Sequence, residues 1–237
     1  MTEFLHRGDD KKKFVRGIFD DIADRYDFLN HLLSFGIDIY WRKKFIKLLS
    51  LNKNSKVLDV ATGTGDLSIE ILSAYPGSEI IGLDISPKML AVAQRKIDKK
   101  KLNGYTLIEG DAENLPFEDS SFDCVTIAYG LRNLGSPKKG LEEFNRVLKD
   151  GGKLAVLEFM EPQSNFLKRV FGFYFNFILP KVGALFSNSK AYRYLPESVK
   201  NFMNNKELEK TLEEIGFTKV VSKNFSLGIT SVFIFTK

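Results

Sequence analysis

Five short apolar runs, separated by polar turns and helical segments, constrain this chain more than any other feature. The runs are Lys56–Val60, Glu79–Asp84, Tyr105–Gly110, Phe122–Ala128 and Lys153–Phe159. None alternates apolar and polar residues with period two, so each reads as a strand buried on both faces. Between them, Leu67, Ile69, Ile71 and Leu72 have helical spacing, as do Met89, Leu90 and Ala93 after Ser86-Pro87. Pro87 suits the first turn of a helix, where a missing N–H costs nothing. A further helix is expected from about Pro137 to Leu148, and the turn Asp150-Gly151-Gly152 leads into the fifth run. Strand and helix in alternation with short connections predict a parallel sheet with right-handed crossovers.

The two ends differ from this rhythm. Residues 11–50 read as helical, with Phe14, Ile18, Phe19, Ile22 and Tyr26 on one stripe and a second helix starting near Asp38. After a helix near residues 205–215, the runs Thr218–Phe225 and Thr230–Thr236 flank a short turn, so they must pair antiparallel. The expected architecture is therefore α/β: a doubly wound, Rossmann-like seven-stranded sheet, mostly parallel, with an antiparallel strand from a C-terminal hairpin. One domain over residues 1–237 is predicted, with a helical cap at 1–50 and an apolar insertion at 161–204. The insertion is strongly aromatic: Phe166, Leu167, Val170, Phe171, Phe173, Tyr174, Phe175, Phe177, Ile178 and Leu179, interrupted by Pro180 and Gly183.

Composition narrows the class. A formal net charge of +5 over 237 residues gives a mildly basic surface, suited to solubility or to an anionic surface such as a membrane. No dense basic run lies on a nucleic-acid motif, so nucleic acid is not an expected partner. Lys11-Lys12-Lys13 and Lys99-Lys100-Lys101 read as solvated faces. The single cysteine, Cys124, lies in an apolar run and reads as a buried strand residue, which excludes a disulfide framework. The N-terminus has no apolar stretch typical of a secretory signal, and no run of about 18 apolar residues predicts a membrane span. A cytoplasmic location is expected. His6 and His31 lie outside the strand-end loops and read as surface or packing residues. Asp20-Asp21 reads as a helix face, and no metal site is predicted.

In a doubly wound sheet, ligands bind beyond the carboxyl ends of the strands. The first strand ends at Val60, and its loop carries Gly63 and Gly65, which let the backbone turn sharply and approach a ligand. The second ends at Asp84, about twenty residues on, where a carboxylate can accept both hydrogen bonds of a ribose diol. The third ends at Gly110-Asp111-Ala112, where a side chain and backbone amides can read an adenine. Gly-Thr-Gly is shorter than the glycine pattern a pyrophosphate needs, so an adenosyl ligand without pyrophosphate fits better.

At this point Leu58-Asp59-Val60-Ala61-Thr62-Gly63-Thr64-Gly65-Asp66 resembles motif I of the class I S-adenosylmethionine-dependent methyltransferases. More narrowly, the chain resembles the C-methyltransferases of menaquinone and ubiquinone biosynthesis. The matching segments include Phe19–Asp27, Asn30 with Leu33–Gly36, Trp41-Arg42, Gly110–Phe117, Gly130-Leu131-Arg132-Asn133, Arg146–Lys149, Leu157–Phe159, Tyr194-Leu195-Pro196-Glu197-Ser198 and Leu227-Gly228-Ile229. Two positions depart from the family pattern: Ala128 replaces a frequent serine, and Asp150 replaces a proline.

The resemblance implies S-adenosyl-L-methionine as the methyl donor. It implies contacts from Asp59, Gly63, Thr64, Gly65, Asp84, Asp111 and Ala112, with Asp66 facing the methionine end. It points to Arg132, Asn133 and Tyr26 as the catalytic neighbourhood. Arginine stays protonated, so Arg132 is expected to stabilise a quinolate or orient water, and Asn133 to orient a ring oxygen. The implied reaction is C-methylation of a polyprenyl quinol, chiefly demethylmenaquinol to menaquinol. The alternatives are a 2-polyprenyl-6-methoxybenzoquinol substrate and a non-catalytic S-adenosylmethionine-binding protein. The aromatic insertion reads either as a simple lid over the cofactor or, as the resemblance favours, as an apolar mouth that takes the prenyl tail from the bilayer with Lys168, Arg169 and Lys181, at the inner face of the cytoplasmic membrane. A homodimer is compatible with this reading.

Overall fold

The computed structural model describes residues 8–162, 164–173 and 189–237. Seven strands form one sheet in the order β3-β2-β1-β4-β5-β7-β6. They are β1 (Lys56–Val60), β2 (Glu79–Asp84), β3 (Tyr105–Glu109), β4 (Phe122–Ala128), β5 (Leu148–Phe159), β6 (Thr218–Phe225) and β7 (Thr230–Thr236). The pairs β1–β2, β1–β4, β2–β3 and β4–β5 are parallel. Strand β7 runs antiparallel between β5 and β6. The hairpin thus inserts its second strand into the sheet and leaves β6 as the edge. That edge is mostly exposed and carries Lys219 and Lys223, charges of the kind that discourage edge pairing.

The sheet reverses direction of growth between β1 and β4, so the carboxyl ends of these two strands open a crevice. Helices α4 (Asp66–Ala74), α5 (Pro87–Lys100) and α6 (Pro137–Val147) connect the parallel strands. Helix α6 ends at Val147, and β5 begins at once at Leu148 instead of at Lys153. Leu148 pairs with Phe122 before a register shift, so Asp150-Gly151-Gly152 bulges within the strand region instead of preceding it. Leu141, Phe144 and Val147 of α6 pack on Leu58, Val125, Leu154 and Phe233 in one core layer. The opposite layer joins Phe45 and Leu49 to Ile71, Ile80, Cys124 and Ile234, so Cys124 is a buried strand residue.

The N-terminal segment is not one continuous helix pair. It comprises α1 (Gly8–Ile22), a 3-10 turn over Ala23–Arg25, α2 (Tyr26–Leu33) and α3 (Ile37–Leu49). Phe35 and Gly36 take left-handed backbone, with φ of 52° and 74°, and this stops α2 before α3 begins. Of the apolar insertion, α7 (Asn165–Phe173) and α8 (Ser189–Lys200) are described; Tyr174, Phe175, Phe177, Ile178, Leu179, Pro180, Lys181 and Gly183 lie outside the described residues, as does His6. Helix α9 (Asn205–Ile215) begins with a complete capping box, Asn204 with Glu207, and precedes β6.

One close approach links the sheet to the loop after β1. Gly82 lies beside Asp59 in register, and a Cβ there would stand 2.8 Å from the Tyr105 hydroxyl. The missing side chain lets the Tyr105 ring cross the sheet and place its hydroxyl 2.9 Å from Thr62 Oγ1. Gly82→Ala overpacks this contact and is expected to cost about 1–3 kcal/mol. The expected readout is a lower urea midpoint with an unchanged denaturant slope.

Candidate functional site

The site grows from a buried carboxylate. Asp59, near the end of β1, is almost fully inaccessible. Its Oδ1 accepts from Thr126 Oγ1 at 2.7 Å, and its Oδ2 accepts from Thr62 Oγ1 at 2.7 Å and Ser68 Oγ at 2.6 Å. Burial pushes its pKa up, while these hydroxyls pull it down. The three donors come from β4, the loop and α4, so Asp59 ties these three elements together at the crevice.

The loop Ala61–Gly65 then turns sharply. Ala61, Gly63 and Gly65 all have left-handed φ, and Gly65 N donates to Thr62 O at 2.9 Å. A Cβ on Gly63 would meet nothing within 4 Å, so its backbone faces open space. Across the crevice, the chain leaving β4 repeats this strain: Tyr129 has a φ of 57°. The two loops touch where a Cβ on Gly130 would come within 2.6 Å of Ala61 Cβ. Non-glycine residues in this region persist only where packing over-determines them.

Asp84 closes β2 and grips the same loop. Its Oδ2 accepts from Gly63 N at 2.8 Å, and its Oδ1 from Ser86 N at 2.8 Å. Burial raises its pKa to about 6, opposed by these backbone donors. Asp111, after β3, uses Oδ1 to accept from Glu113 N at 2.9 Å and Oδ2 to bind Lys12 Nζ at 2.7 Å.

These groups line two adjoining cavities. The smaller, about 80 Å³, is walled by Asp84, Ile85, Met89, Asp111, Ala112 and Leu134. The larger, about 440 Å³, is walled by Asp59, Thr64, Asp66, Trp41, Arg132, Phe159 and other, mostly apolar, residues. Both share Phe19, Tyr26, Ala61, Gly63, Ala128 and Tyr129. Tyr26 therefore stands at the junction, its hydroxyl pKa raised by burial.

Arg132 and Asn133 follow β4 in a 3-10 turn, and both are buried. The Arg132 guanidinium pairs through Nη1 with Glu158, which is fully buried. It also donates from Nη1 to Tyr129 O at 2.7 Å and from Nε to Ser198 Oγ at 3.3 Å, and lies 5.3 Å from the Phe159 ring centre. Nη2 is not taken up by any of these bonds. Asn133 Nδ2 donates to Tyr129 O at 3.2 Å, and its Oδ1 accepts from the Tyr194 hydroxyl at 3.1 Å. Burial raises the Tyr194 hydroxyl to about 12, so it donates at neutral pH. The Gly-Leu-Arg-Asn and Tyr-Leu-Pro-Glu-Ser segments, far apart in the chain, thus meet in one buried network.

Thr64 donates to Asp27 Oδ1 at 2.5 Å, and Lys96 bridges Asp27 and Asp66, each at 2.5 Å. This links α2 to the α4 N-terminus and to α5.

Several residues have roles that their sequence positions do not indicate. Lys11 and Lys12 are not a solvated face. Lys12 pairs with Asp111 and, at 3.1 Å, with Glu113, which raise its pKa despite the opposing effect of burial. Lys11 donates to Arg132 O at 2.8 Å, and burial lowers its pKa. Lys13 and Lys99-Lys100-Lys101 are exposed. His31 lines the larger cavity, with Nδ1 2.8 Å from Asp38 Oδ2. Arg42 binds Asp38 at 2.9 Å, Glu70 at 3.0 Å and Asp66 at 3.4 Å. Asp20 accepts from Ser86 Oγ at 2.6 Å and so joins α1 to α5. The four-residue spacing of Asp38 and Arg42 was a legible signal for their pair; nothing local marked Lys11 or Lys12.

A seven-stranded sheet in this order, with a glycine turn after β1 and a buried acid closing β2, defines a class I S-adenosylmethionine-dependent methyltransferase. Residues 6–237 match the ubiE/COQ5 methyltransferase family, and the chain belongs to that family. It is 42% identical over 231 residues to the ubiquinone/menaquinone biosynthesis C-methyltransferase UbiE of Geobacter sulfurreducens, covering 97% of this chain and 90% of that protein. It is 44% identical over 210 residues to the demethylmenaquinone methyltransferase of Chlorobaculum tepidum, covering 86% and 84%. Among solved structures, a methyltransferase of Thermotoga maritima described as a possible histamine N-methyltransferase shares the fold. Its TM-score is 0.66 at 20% identity, covering 94% of this chain and 99% of that one.

Two expectations follow from the charges. With Asp84 near pKa 6, a ligand that needs its carboxylate competes with a proton. S-adenosylmethionine affinity should be level above about pH 7 and fall about tenfold per unit below about pH 6; calorimetry across that range checks it. Arg132→Ala leaves Glu158 buried and uncompensated, and should cost about 3–5 kcal/mol of stability. Adding Glu158→Gln removes that charge but keeps a backbone acceptor, so the double variant should recover part of the loss in urea melts.

Proposed function

We propose that this protein transfers the methyl group of S-adenosylmethionine to a ring carbon of a polyprenyl quinol, converting demethylmenaquinol to menaquinol. The observation that carries the reading is the pair of cavities meeting at Gly63, Tyr26 and Tyr129. One has strand-end acids suited to an adenosine. The other is large, apolar and aromatic, within the usual size range of small-molecule sites.

The residues present fit the donor. Gly63 offers open backbone, and the Asp84 carboxylate, held by two backbone N–H groups, keeps lone pairs for a ribose diol. Asp111 and Ala112 border the adenine end, while Thr64 and Asp66 border the methionine end. Asp59 acts indirectly by holding the loop in shape. Bound S-adenosylmethionine supplies an electrophilic methyl carbon on a sulfonium.

The chain's own groups then serve positioning and charge. Tyr26 and Tyr129 wall the junction, and α1, α2 and α8 cover it, excluding water. Positioning of this kind contributes up to roughly 7–11 kcal/mol to lowering a barrier. Arg132, anchored by Glu158, Tyr129 and Ser198, keeps Nη2 for the developing quinolate oxygen. Asn133 is held by Tyr194 to orient a ring oxygen. Fixed donors aimed at developing charge are the usual source of such stabilisation.

The apolar tail of such a substrate resides in a bilayer, so peripheral contact with the cytoplasmic membrane belongs to this reading. Among the described residues, no helix is long and apolar enough to cross a membrane.

The test is incubation of the purified protein with methyl-labelled S-adenosylmethionine and short-tailed demethylmenaquinol or demethylated benzoquinol under reducing conditions. Mass spectrometry should find the label on the naphthoquinol ring carbon. Label on the benzoquinol alone would reassign the substrate, and donor binding without any product would support the non-catalytic alternative.

A further inference from the structure

We infer that the α2–α3 turn is the edge by which this protein docks on an anionic lipid bilayer, at the mouth of its larger cavity. The inference rests on the quinol reading above and locates its membrane contact. It places that contact on the N-terminal helices, whereas the sequence pointed to the aromatic insertion.

Large apolar side chains are exposed on this turn to an unusual degree. Phe35 is 81% exposed, Tyr40 54%, Ile37 42% and Leu32 40%. Contiguous exposed apolar surface on a soluble protein marks an interaction site. Phe35 and Ile37 also line the larger cavity, so the patch is the rim of its opening. On another side of the same cavity, Ser226 and Ile229 line it, and Leu227 between them, in the turn between β6 and β7, is 76% exposed. Trp41 joins the two sides: its Nε1 donates to Ser226 Oγ at 2.9 Å.

Charge decides between occupants. Lys43, Lys44 and Lys47 are exposed on α3 just beyond the apolar residues, and the Lys44 ammonium lies 5.5 Å from the centre of the Tyr40 ring. From Phe28 to Leu49 the sole acidic residue is Asp38, which is buried and bonded to His31, Ser34 and Arg42. Exposed charge on this stretch is therefore basic. Apolar and aromatic tips flanked by lysines suit the boundary between acyl chains and anionic headgroups. A second copy of the chain would set like charges against each other. On a bilayer, by contrast, the cavity mouth faces the acyl region, and a prenylated ring can enter without crossing water.

The experiment is co-sedimentation of the full chain with vesicles of phosphatidylcholine, with and without phosphatidylglycerol. Wild type should bind the anionic vesicles and release at high salt. Leu32→Ser with Tyr40→Ser, and separately the triple variant K43E/K44E/K47E, should each weaken binding by about tenfold or more. None of these side chains lines the cavities, so turnover of a short-tailed quinol in solution should persist in both variants and also report folding. Wild-type vesicle binding by both variants would overturn the inference. So would a salt-resistant dimer, detected by sedimentation velocity, that both variants split while vesicles bind neither form. Failure to methylate any quinol would count against the proposed function alone, because vesicle binding is read independently.

Discussion

The crevice depends on Asp59, a carboxylate sealed from water and held by three hydroxyls from three different elements. An isolated buried charge is costly, and hydrogen bonding to the charged form offsets that cost. The offset holds only while Thr62, Ser68 and Thr126 keep their places. The loop after β1, the start of α4 and strand β4 are therefore locked together. Tyr105 extends the network to β3 through Thr62, and Gly82 leaves the space for it to do so. The strained backbone at Ala61 and Tyr129 is supported by the same packing. Rigidity here fixes where a ligand's atoms can lie, which matters more to a positioning catalyst than added binding contacts.

Around this rigid centre, the helical segments act as walls joined by charge. Lys12 reaches Asp111, Lys11 reaches the Arg132 carbonyl, Asp20 reaches Ser86, and Asp27 reaches Thr64 and Lys96. All but the Asp27–Lys96 pair tie an N-terminal helix to a strand-end loop; that pair ties α2 to α5. Charge pairs at half-exposed positions contribute little stability individually, but several in one interface set its register. The larger cavity is enclosed differently, by apolar and aromatic side chains from α1, α3, α7 and α8. A polar grip for one ligand and an apolar enclosure for the other fit two reactants of opposite character.

The Arg132–Glu158 pair illustrates why a site residue must be judged with its partners. From the sequence, Arg132 is a cation following a strand. In the fold it is buried, neutralises a buried glutamate and is ordered by Tyr129 and Ser198. Its charge is thus partly spent on structure, and Nη2 alone of the guanidinium nitrogens stands outside these bonds.

The alternation of apolar runs and helices, the glycine turn and the strand-end acids were readable from the chain alone. They are local: strand periodicity, turn residues and caps depend on neighbours a few positions apart. The hairpin too was legible, but the placement of β7 between β5 and β6 was not, since sheet order depends on which edges remain open once the parallel strands have paired. Likewise, nothing local distinguishes Lys12 from Lys13 or marks His31 as a cavity residue. Their partners, Asp111 and Asp38, become neighbours only when α1 crosses the strand ends and α2 folds back on α3. The sequence alone therefore determined the layered architecture and the positions of the strand-end loops that border the cavities. Tertiary packing alone decided which charges are buried together, how the two cavities meet and which apolar residues remain exposed, because those depend on distances between segments remote in the chain.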